Sequence, residues 1–343
     1  MYNPRDAFLA LLFWLSVALL SVLCAFGCAS PEPAPPSIVL STTSSAPSEG
    51  HLFLFKNSCS QTLWVGSAGQ NGSAPLLDGG WRLDPNVVQE VTVPVGHSGR
   101  VWPRTECAFA EDGTCTGAGN CCVTGGCLTA SNVFGLACAQ TGVPPASLVE
   151  WTLDATSGNG PIDYYDMSLV DGWSVPVSMR PIPDTYNPTP DPGIGAWWCE
   201  PAGCTEGEPV CPDAYKVEGA PGACWSPCQA ATRAGSADAT KLCCTCSLTD
   251  PITCPEANCA GGYGCTPYHD PEYPADMVCN PWNTDTARAW DATAQSYIAN
   301  VKAACPKAYS WQFDDVKATF NCRKTGGLVG YIVEFCPDVP ATP

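Results

Sequence analysis

Cysteine is the residue that constrains this chain most: 24 of its 343 residues are cysteine. Such a density belongs to an oxidising compartment, where bridges replace part of the hydrophobic core and hold loops in place. Charged residues make up only 14%, and Gly and Pro contribute 32 and 34 residues, so a Glu/Lys/Leu-rich helical bundle is excluded. Acidic residues outnumber basic ones 33 to 15, giving a formal charge of −18. That excess repels phosphate backbones and argues against a nucleic-acid partner. The three histidines, His51, His97 and His269, are too few for a His-rich catalytic metal centre. No metal and no cofactor are expected.

The chain begins with an address. Arg5 and the terminal amine precede Ala7–Phe26, which carry no charge, so residues 1–28 read as an export signal. Twenty such residues are also long enough for an uncleaved membrane anchor. Ala25-Phe26-Gly27-Cys28 places a small residue directly before a cysteine, as at a bacterial lipoprotein cleavage site, and Cys28 is a candidate for lipidation. Phe26 fits that site poorly, and ordinary cleavage nearby is the alternative. Residues 29–50 are rich in Pro, Ser, Thr and Ala, too poor in large apolar groups to offset ordering entropy, and read as a tether. Residues 51–343 form the folded domain.

From His51 the pattern is one of short strands between Gly/Pro/Asn turns: Leu52–Phe55, Leu63–Val65, Val87–Val95, Arg100–Arg104, Leu148–Leu153 and Val175–Met179. Even spacing of this kind predicts a sandwich or barrel. Residues 197–304 contain a Cys-rich subdomain with little periodicity. Beyond it Asp285 is placed to cap one long helix, in which Ala287, Trp290, Ala294, Tyr297, Ile298 and Val301 recur at helical spacing as core residues. The last strand alternates through Val329, Tyr331, Val333 and Phe335.

Several segments share one further likeness. Asn57-Ser-Cys59 with Thr62-Leu-Trp64, Gly79-Gly-Trp-Arg-Leu83, Gly99–Cys107, Pro144–Glu150, Asp163–Gly172, Val175–Met179, Cys305–Ser310, Asp314-Asp315 and Phe335-Cys-Pro337 follow one another in register. Together they resemble the thaumatin-like family of pathogenesis-related antifungal proteins over about residues 52–337. The resemblance implies a mainly β fold, a flattened β-sandwich with disulfide-rich loop domains packed on it. Departures are visible too. The family's Thr-Gly-Asp-Cys-Gly-Gly reads Thr116-Gly-Ala-Gly-Asn-Cys121-Cys122, its usual Asp after Cys-Pro is Lys307, and residues 245–278 look inserted. The negative charge weakens any inference of attack on acidic fungal membranes.

Without Cys24 and Cys28 there remain 22 cysteines, an even number suited to bridges. The resemblance implies Cys59–Cys336, Cys107–Cys115, Cys121–Cys127, Cys199–Cys322, Cys204–Cys305, Cys211–Cys224, Cys228–Cys243 and Cys244–Cys279. That leaves Cys122 and Cys138 to pair, and Cys246, Cys254, Cys259 and Cys265 in the inserted segment. A tetrathiolate zinc site from those four is the weaker alternative to disulfides. Asn71-Gly-Ser73 is a glycan acceptor only in a eukaryotic source.

The stretch Asp163-Tyr-Tyr-Asp166-Met-Ser-Leu-Val-Asp171 carries the chemistry. The family's cleft is lined by an arginine, a glutamate and three aspartates. The matching positions are Arg100, Glu150, Asp166, Asp171 and Asp314. An arginine among crowded carboxylates pushes their pKa values apart, the condition for glycosidic cleavage by an acid and a carboxylate. Tyr164, Tyr165, Trp151 and Trp173 are candidates to stack on sugar rings. Aspartates at turns also serve simply as acceptors for backbone N–H groups. The reading is an exported or surface-tethered monomer whose acidic cleft binds a β-1,3-glucan-type polysaccharide, with a defence or antifungal role. The alternatives are an endo-β-1,3-glucanase, with Glu150 as acid and Asp171 or Asp166 as partner, and a defence protein that binds a protein such as a protease. If Cys28 carries lipid, Cys28→Ser will release the protein from the membrane fraction. Unchanged association would point to Ala7–Phe26 as the anchor, and a soluble wild type to ordinary cleavage.

Overall fold

The computed structural model describes residues 50–116, 120–190, 197–243, 292–312, 314, 318–324 and 327–337. The leader with Cys28, residues 29–49 of the tether, the inserted segment 245–278 with its cysteines, the Cys244–Cys279 pair, and Asp285, Ala287 and Trp290 lie outside them. The strands are β1 (Gly50–Asn57), β2 (Leu63–Gln70), β3 (Gly80–Leu83), β4 (Val88–Pro94), β5 (Ser98–Cys107), β6 (Cys122–Thr124), β7 (Cys127–Leu128), β8 (Phe134–Gly135), β9 (Leu148–Ala155), β10 (Ile162–Ser168), β11 (Val177–Pro181), β12 (Ala202–Gly203), β13 (Phe320–Cys322) and β14 (Tyr331–Phe335). The helices are α1 (Pro227–Arg233), α2 (Ala239–Leu242) and α3 (Ala292–Ala304).

Two sheets face each other. One has the order β12-β11-β14-β1-β4, the other β13-β10-β9-β5-β2-β3 with β6 paired to β5. Alternation decides which side chains enter the space between them. Phe53, Phe55, Val91, Val93, Tyr331 and Val333 come from the first sheet, and Val65, Val101, Val149, Trp151, Tyr165 and Met167 from the second; all are buried. Aromatic rings cross the interface: Phe53 lies 5.0 Å from Trp151 and 5.1 Å from Tyr331, and Tyr165 lies 5.4 Å from Tyr331. The sandwich is therefore mainly β with an aromatic core.

The first and last strands are neighbours and run parallel, with Asn57 opposite Phe335. Parallel pairing brings the C-terminal ends of both strands to the same edge, so Cys59 and Cys336, just beyond them, meet in a disulfide spanning 277 residues. Bridges also join Cys199 to Cys322, Cys204 to Cys305, Cys211 to Cys224 and Cys228 to Cys243.

The loops between β5 and β9 are paired differently from the expected Cys107–Cys115, Cys121–Cys127 and Cys122–Cys138. The bridges are Cys107–Cys122, Cys115–Cys121 and Cys127–Cys138. Strand register is the cause. β5 and β6 place Cys107 directly opposite Cys122, and the β7–β8 hairpin, with Cys127 opposite Gly135, returns the chain so that Cys138 reaches Cys127. Cys121 is left for Cys115. The doubled cysteine at 121–122, where the family pattern has one, is what permits this arrangement.

Under these loops lies Arg104, with 0% exposure. Among the described residues no carboxylate lies within ion-pair distance. Its guanidinium instead donates from Nε to the Trp64 carbonyl (2.9 Å), from Nη2 to those of Val65 (3.1 Å) and Leu136 (2.9 Å), and from Nη1 to that of Gly135 (3.1 Å). Burial pushes its pKa down to about 9. Gly80 makes room for it, since a Cβ there would lie 2.6 Å from Nη2.

Within α3, Ala294, Tyr297, Ile298 and Val301 are buried at the helical spacing expected. Tyr297 stacks on Trp173 at 5.2 Å, and its hydroxyl donates to the Leu169 carbonyl at 2.5 Å. Among the described residues no helix is long and apolar enough to cross a membrane.

Replacing Arg104 by Lys removes the planar fork, and an ammonium cannot reach four carbonyls in one plane. Stranding even one of them costs about 1–3 kcal/mol. Arg104→Lys is expected to lose at least that much in denaturant unfolding under non-reducing conditions; wild-type stability would show that the guanidinium is not what holds the loops.

Candidate functional site: an acidic groove on the second sheet

The groove begins as a row across three strands. In the antiparallel register Arg100 of β5 lies opposite Glu150 of β9, and Asp166 of β10 lies opposite the same Glu150. Directly opposed residues project to one face. The flanking Val101, Val149 and Met167 point into the sandwich core, so the three charged side chains face outwards. Part of that outer face is roofed by the disulfide loops, which pack with Ala68, Trp102 and Leu148 as a second apolar cluster. The row lies at the edge of the roof.

Asp171 arrives from the turn after β10. Gly172 N–H donates to the Leu169 carbonyl at 3.0 Å, and Gly172 adopts φ +90°. A Cβ there would stand 2.2 Å from the Cys224 carbonyl oxygen, so only glycine lets the turn close against the Cys-rich segment. Trp173 fixes the far side of the turn, its indole N–H donating to the Gly222 carbonyl at 2.7 Å. Asp171 Oδ1 accepts from Gln229 Nε2 at 3.0 Å.

Arg100, Glu150, Asp166 and Asp171 together with Ser168, Tyr309 and Gln312 line a cavity of about 350 Å³. Arg100 Nη2 and Glu150 Oε1 are 3.0 Å apart, with side chains 24% and 22% exposed. Gln70 of β2 reaches the same pair: turned with its amide oxygen towards Arg100, it accepts from Nε at 2.8 Å. Burial raises the Glu150 pKa; Arg100 opposes the rise and the neighbouring Asp171 adds to it. Burial also raises Asp171, against the hydrogen bond from Gln229 and the charge of Arg100. The arrangement holds a proton-retaining carboxyl beside other carboxylates and one fixed cation.

Four of the five expected cleft residues thus come together. Asp314 does not join them. It is 1% exposed, accepts from Ser310 N–H (3.0 Å) and Oγ–H (2.9 Å), and forms an ion pair with Lys302 of α3. It anchors the loop below the helix, because a lysine in the last turn of α3 reaches it first. The aromatic platform also needs correction. Tyr165, Trp151 and Trp173 are core residues, at most 2% exposed, their parity along β9 and β10 or their packing on α3 turning them inwards. Tyr164 shares the parity of Asp166 and is 37% exposed. Tyr309, Gln312, Ser168, Gln70 and Gln229 were not anticipated. Ser168 and Tyr309 lay within recognised blocks, Asp163–Gly172 and Cys305–Ser310; Gln70, Gln229 and Gln312 carry no motif.

A separate group, His51, Asp154 and Asp163, has the composition of a metal site, with ligand atoms within 4.8 Å of one another. Its histidine is fully engaged. Nδ1 faces the Val329 carbonyl at 2.9 Å and Nε2 faces Asp154 Oδ2 at 2.8 Å, so both ring nitrogens already have hydrogen-bond partners within the fold.

The model of the thaumatin family matches residues 57–263 and 264–337. The chain belongs to the thaumatin family. Pathogenesis-related protein 5 of Arabidopsis thaliana is 33% identical over 289 residues, covering 83% of this chain and 90% of its own length. Pathogenesis-related thaumatin-like protein 3.5 of Cryptomeria japonica is 32% identical over 83% of this chain and 90% of its own. Among solved structures, a laminaripentaose-producing β-1,3-glucanase in complex with laminaritetraose overlaps 85% of this chain and 99% of its own, at 12% identity and TM-score 0.44, a likeness too distant to bear on chemistry.

The thaumatin groove carries a stability cost of definite sign. A carboxyl whose folded pKa is raised binds more protons folded than unfolded, so stability falls as pH rises from the unfolded to the folded value, and the loss is complete above it. Asp171→Asn keeps the acceptor for Gln229 and removes the charge. Its melting temperature is expected to exceed that of wild type at pH 7 by on the order of a few degrees, and to match it at pH 3. Equal melting at both pH values would show that Asp171 is not held in a charge-disfavouring site.

Proposed function

We propose that this thaumatin-family protein acts outside the cell as a monomer, and that its groove binds β-1,3-glucan-type polysaccharide in a defence or antifungal capacity. The observation that carries the reading is the Arg100–Glu150–Asp166 row with Asp171 beside it, in one open, polar groove. A neutral polysaccharide presents a ladder of hydroxyls, each both donor and acceptor. Carboxylates accept from them, and the Arg100 fork donates to them. Tyr164 offers an exposed ring on the same sheet face. Eight disulfides among the described residues suit an oxidising, extracellular setting. The pathogenesis-related names of the relatives support a defence role.

Hydrolysis is the second reading, favoured by one observation: Glu150 is raised by burial and by Asp171, as a general acid requires, with a carboxylate close by. Retention on insoluble β-1,3-glucan tests the first. Glu150→Gln and Asp171→Asn are expected to weaken it by about 1–3 kcal/mol for each lost charged hydrogen bond. Failure of wild type to be retained would sink the glucan reading and leave a protein partner. Release of reducing ends from laminarin, falling on the order of a hundredfold or more in Glu150→Gln, would mark the protein as an enzyme; no release leaves it a binder.

A further inference from the structure

Gln229 belongs to no motif, yet it donates a side-chain hydrogen bond from the Cys-rich segment to a groove carboxylate. We propose that Gln229 is a positioning residue that decides which member of the Glu150–Asp171 pair keeps the proton, directing it to Glu150. What this asymmetry does for a ligand rests on the glycan reading above; the asymmetry itself does not.

The geometry begins with a rigid amide. Ser226 caps α1, its Oγ accepting from the Gln229 backbone N–H at 3.2 Å, with Pro227 pre-set in the first turn. Cys228, the preceding residue, is bridged to Cys243. From this fixed base Gln229 Nε2 reaches Asp171 Oδ1 at 3.0 Å. An amide nitrogen only donates, and a donor committed to one carboxylate favours its ionised form.

Glu150 has a different set of neighbours. Arg100 of β5 touches it at 3.0 Å, Asp166 of β10 stands opposite it, and Asp171 approaches from the turn. Around Asp171 lie Arg100, Gln229 of α1, Glu150 and, from α3, Tyr297, whose own ionisation is opposed by Asp171. Tyr309 completes the wall. Arg100 acts on both acids and pairs directly with Glu150, which favours its ionised form; burial and the Asp171 charge oppose that, and Gln229 acts on Asp171 alone. With Asp171 ionised first, its charge penalises the second ionisation, and the proton stays on Glu150. The groove then presents one O–H donor and one carboxylate acceptor at fixed places.

Site-resolved carboxyl titration by NMR of the ligand-free protein tests this directly. Gln229→Met keeps the length and helix preference of the side chain without the donor; Gln229→Glu puts a third carboxylate against Asp171. Near-UV circular dichroism selects the folded variants. In Gln229→Met the Asp171 midpoint is expected to rise and the Glu150 midpoint to fall. In Gln229→Glu the Asp171 midpoint rises further. Midpoints that stay at their wild-type values in both variants, or an Asp171 midpoint that rises while Glu150 does not move in Gln229→Met, would overturn the proposal. Laminarin retention against pH is the second arm: its acid limb should move to higher pH in Gln229→Met, together with the Asp171 midpoint. A limb that stays put while the midpoints move would deny the asymmetry any part in binding. If wild type retains no laminarin at any pH, the glucan reading fails and the titration still decides the role of Gln229.

Discussion

The parallel pairing of β1 with β14 is the contact on which the rest of this molecule depends. It joins the two ends of the domain at the centre of one sheet, with β4 and β11 added on either side. A parallel pair so distant in sequence carries a large loop-closure entropy, and Cys59–Cys336 removes much of that cost from the unfolded chain. Because the pair is central, its inward aromatic residues Phe53 and Tyr331 meet the second sheet at its middle, against Trp151 and Tyr165. The register of β9 and β10 is set from beneath by this packing, and with it the outward row of Arg100, Glu150 and Asp166 above. A slip of one residue in β9 would turn Glu150 inwards and Val149 out.

Much of this was legible in the residues themselves, for a physical reason. Period-two alternation marked β14, and runs of β-branched and aromatic residues between turn residues marked β1, β5 and β9, so these could be placed from the chain alone. β13 and β12 have three and two residues, too short for any period, and only their neighbours hold them in place. The groove row was readable because it lies on long strands within recognised blocks. Asp314 was misplaced because a loop aspartate has no parity to reveal its direction. The buried Tyr165 and Trp151 were misread because an aromatic next to a charged residue is on the opposite face of a strand, not beside it. Cysteine pairing between β5 and β9 escaped for a related reason: it depends on which residue of β6 opposes Cys107, a register that spacing does not contain.

Two unlike solutions to burying charge stand on neighbouring parts of β5. Arg104 is sealed under the disulfide loops and held by carbonyl dipoles and the Phe109 ring, a rigid and architectural use of a cation. Arg100, four residues earlier and on the same face, keeps a quarter of its surface and shares it with carboxylates that are themselves disfavoured by burial. The boundary between them is the rim of the roof over Trp102. On one side of that rim a cation is buried among carbonyls, and on the other carboxylates are raised by burial beside a partly exposed cation.

The groove is assembled from two sources that differ in how freely they change. The sheet provides Arg100, Glu150 and Asp166 through a register that the whole sandwich enforces. The position of Asp171 is imposed from outside the sheet, by Gly172 against Cys224, Trp173 against Gly222, Tyr297 of α3 and Gln229 of α1. An altered loop in the Cys-rich segment would therefore re-aim one wall of the groove and leave the opposite wall untouched. A change confined to this stapled appendage would alter the shape and charge of the groove at little risk to the architecture beneath.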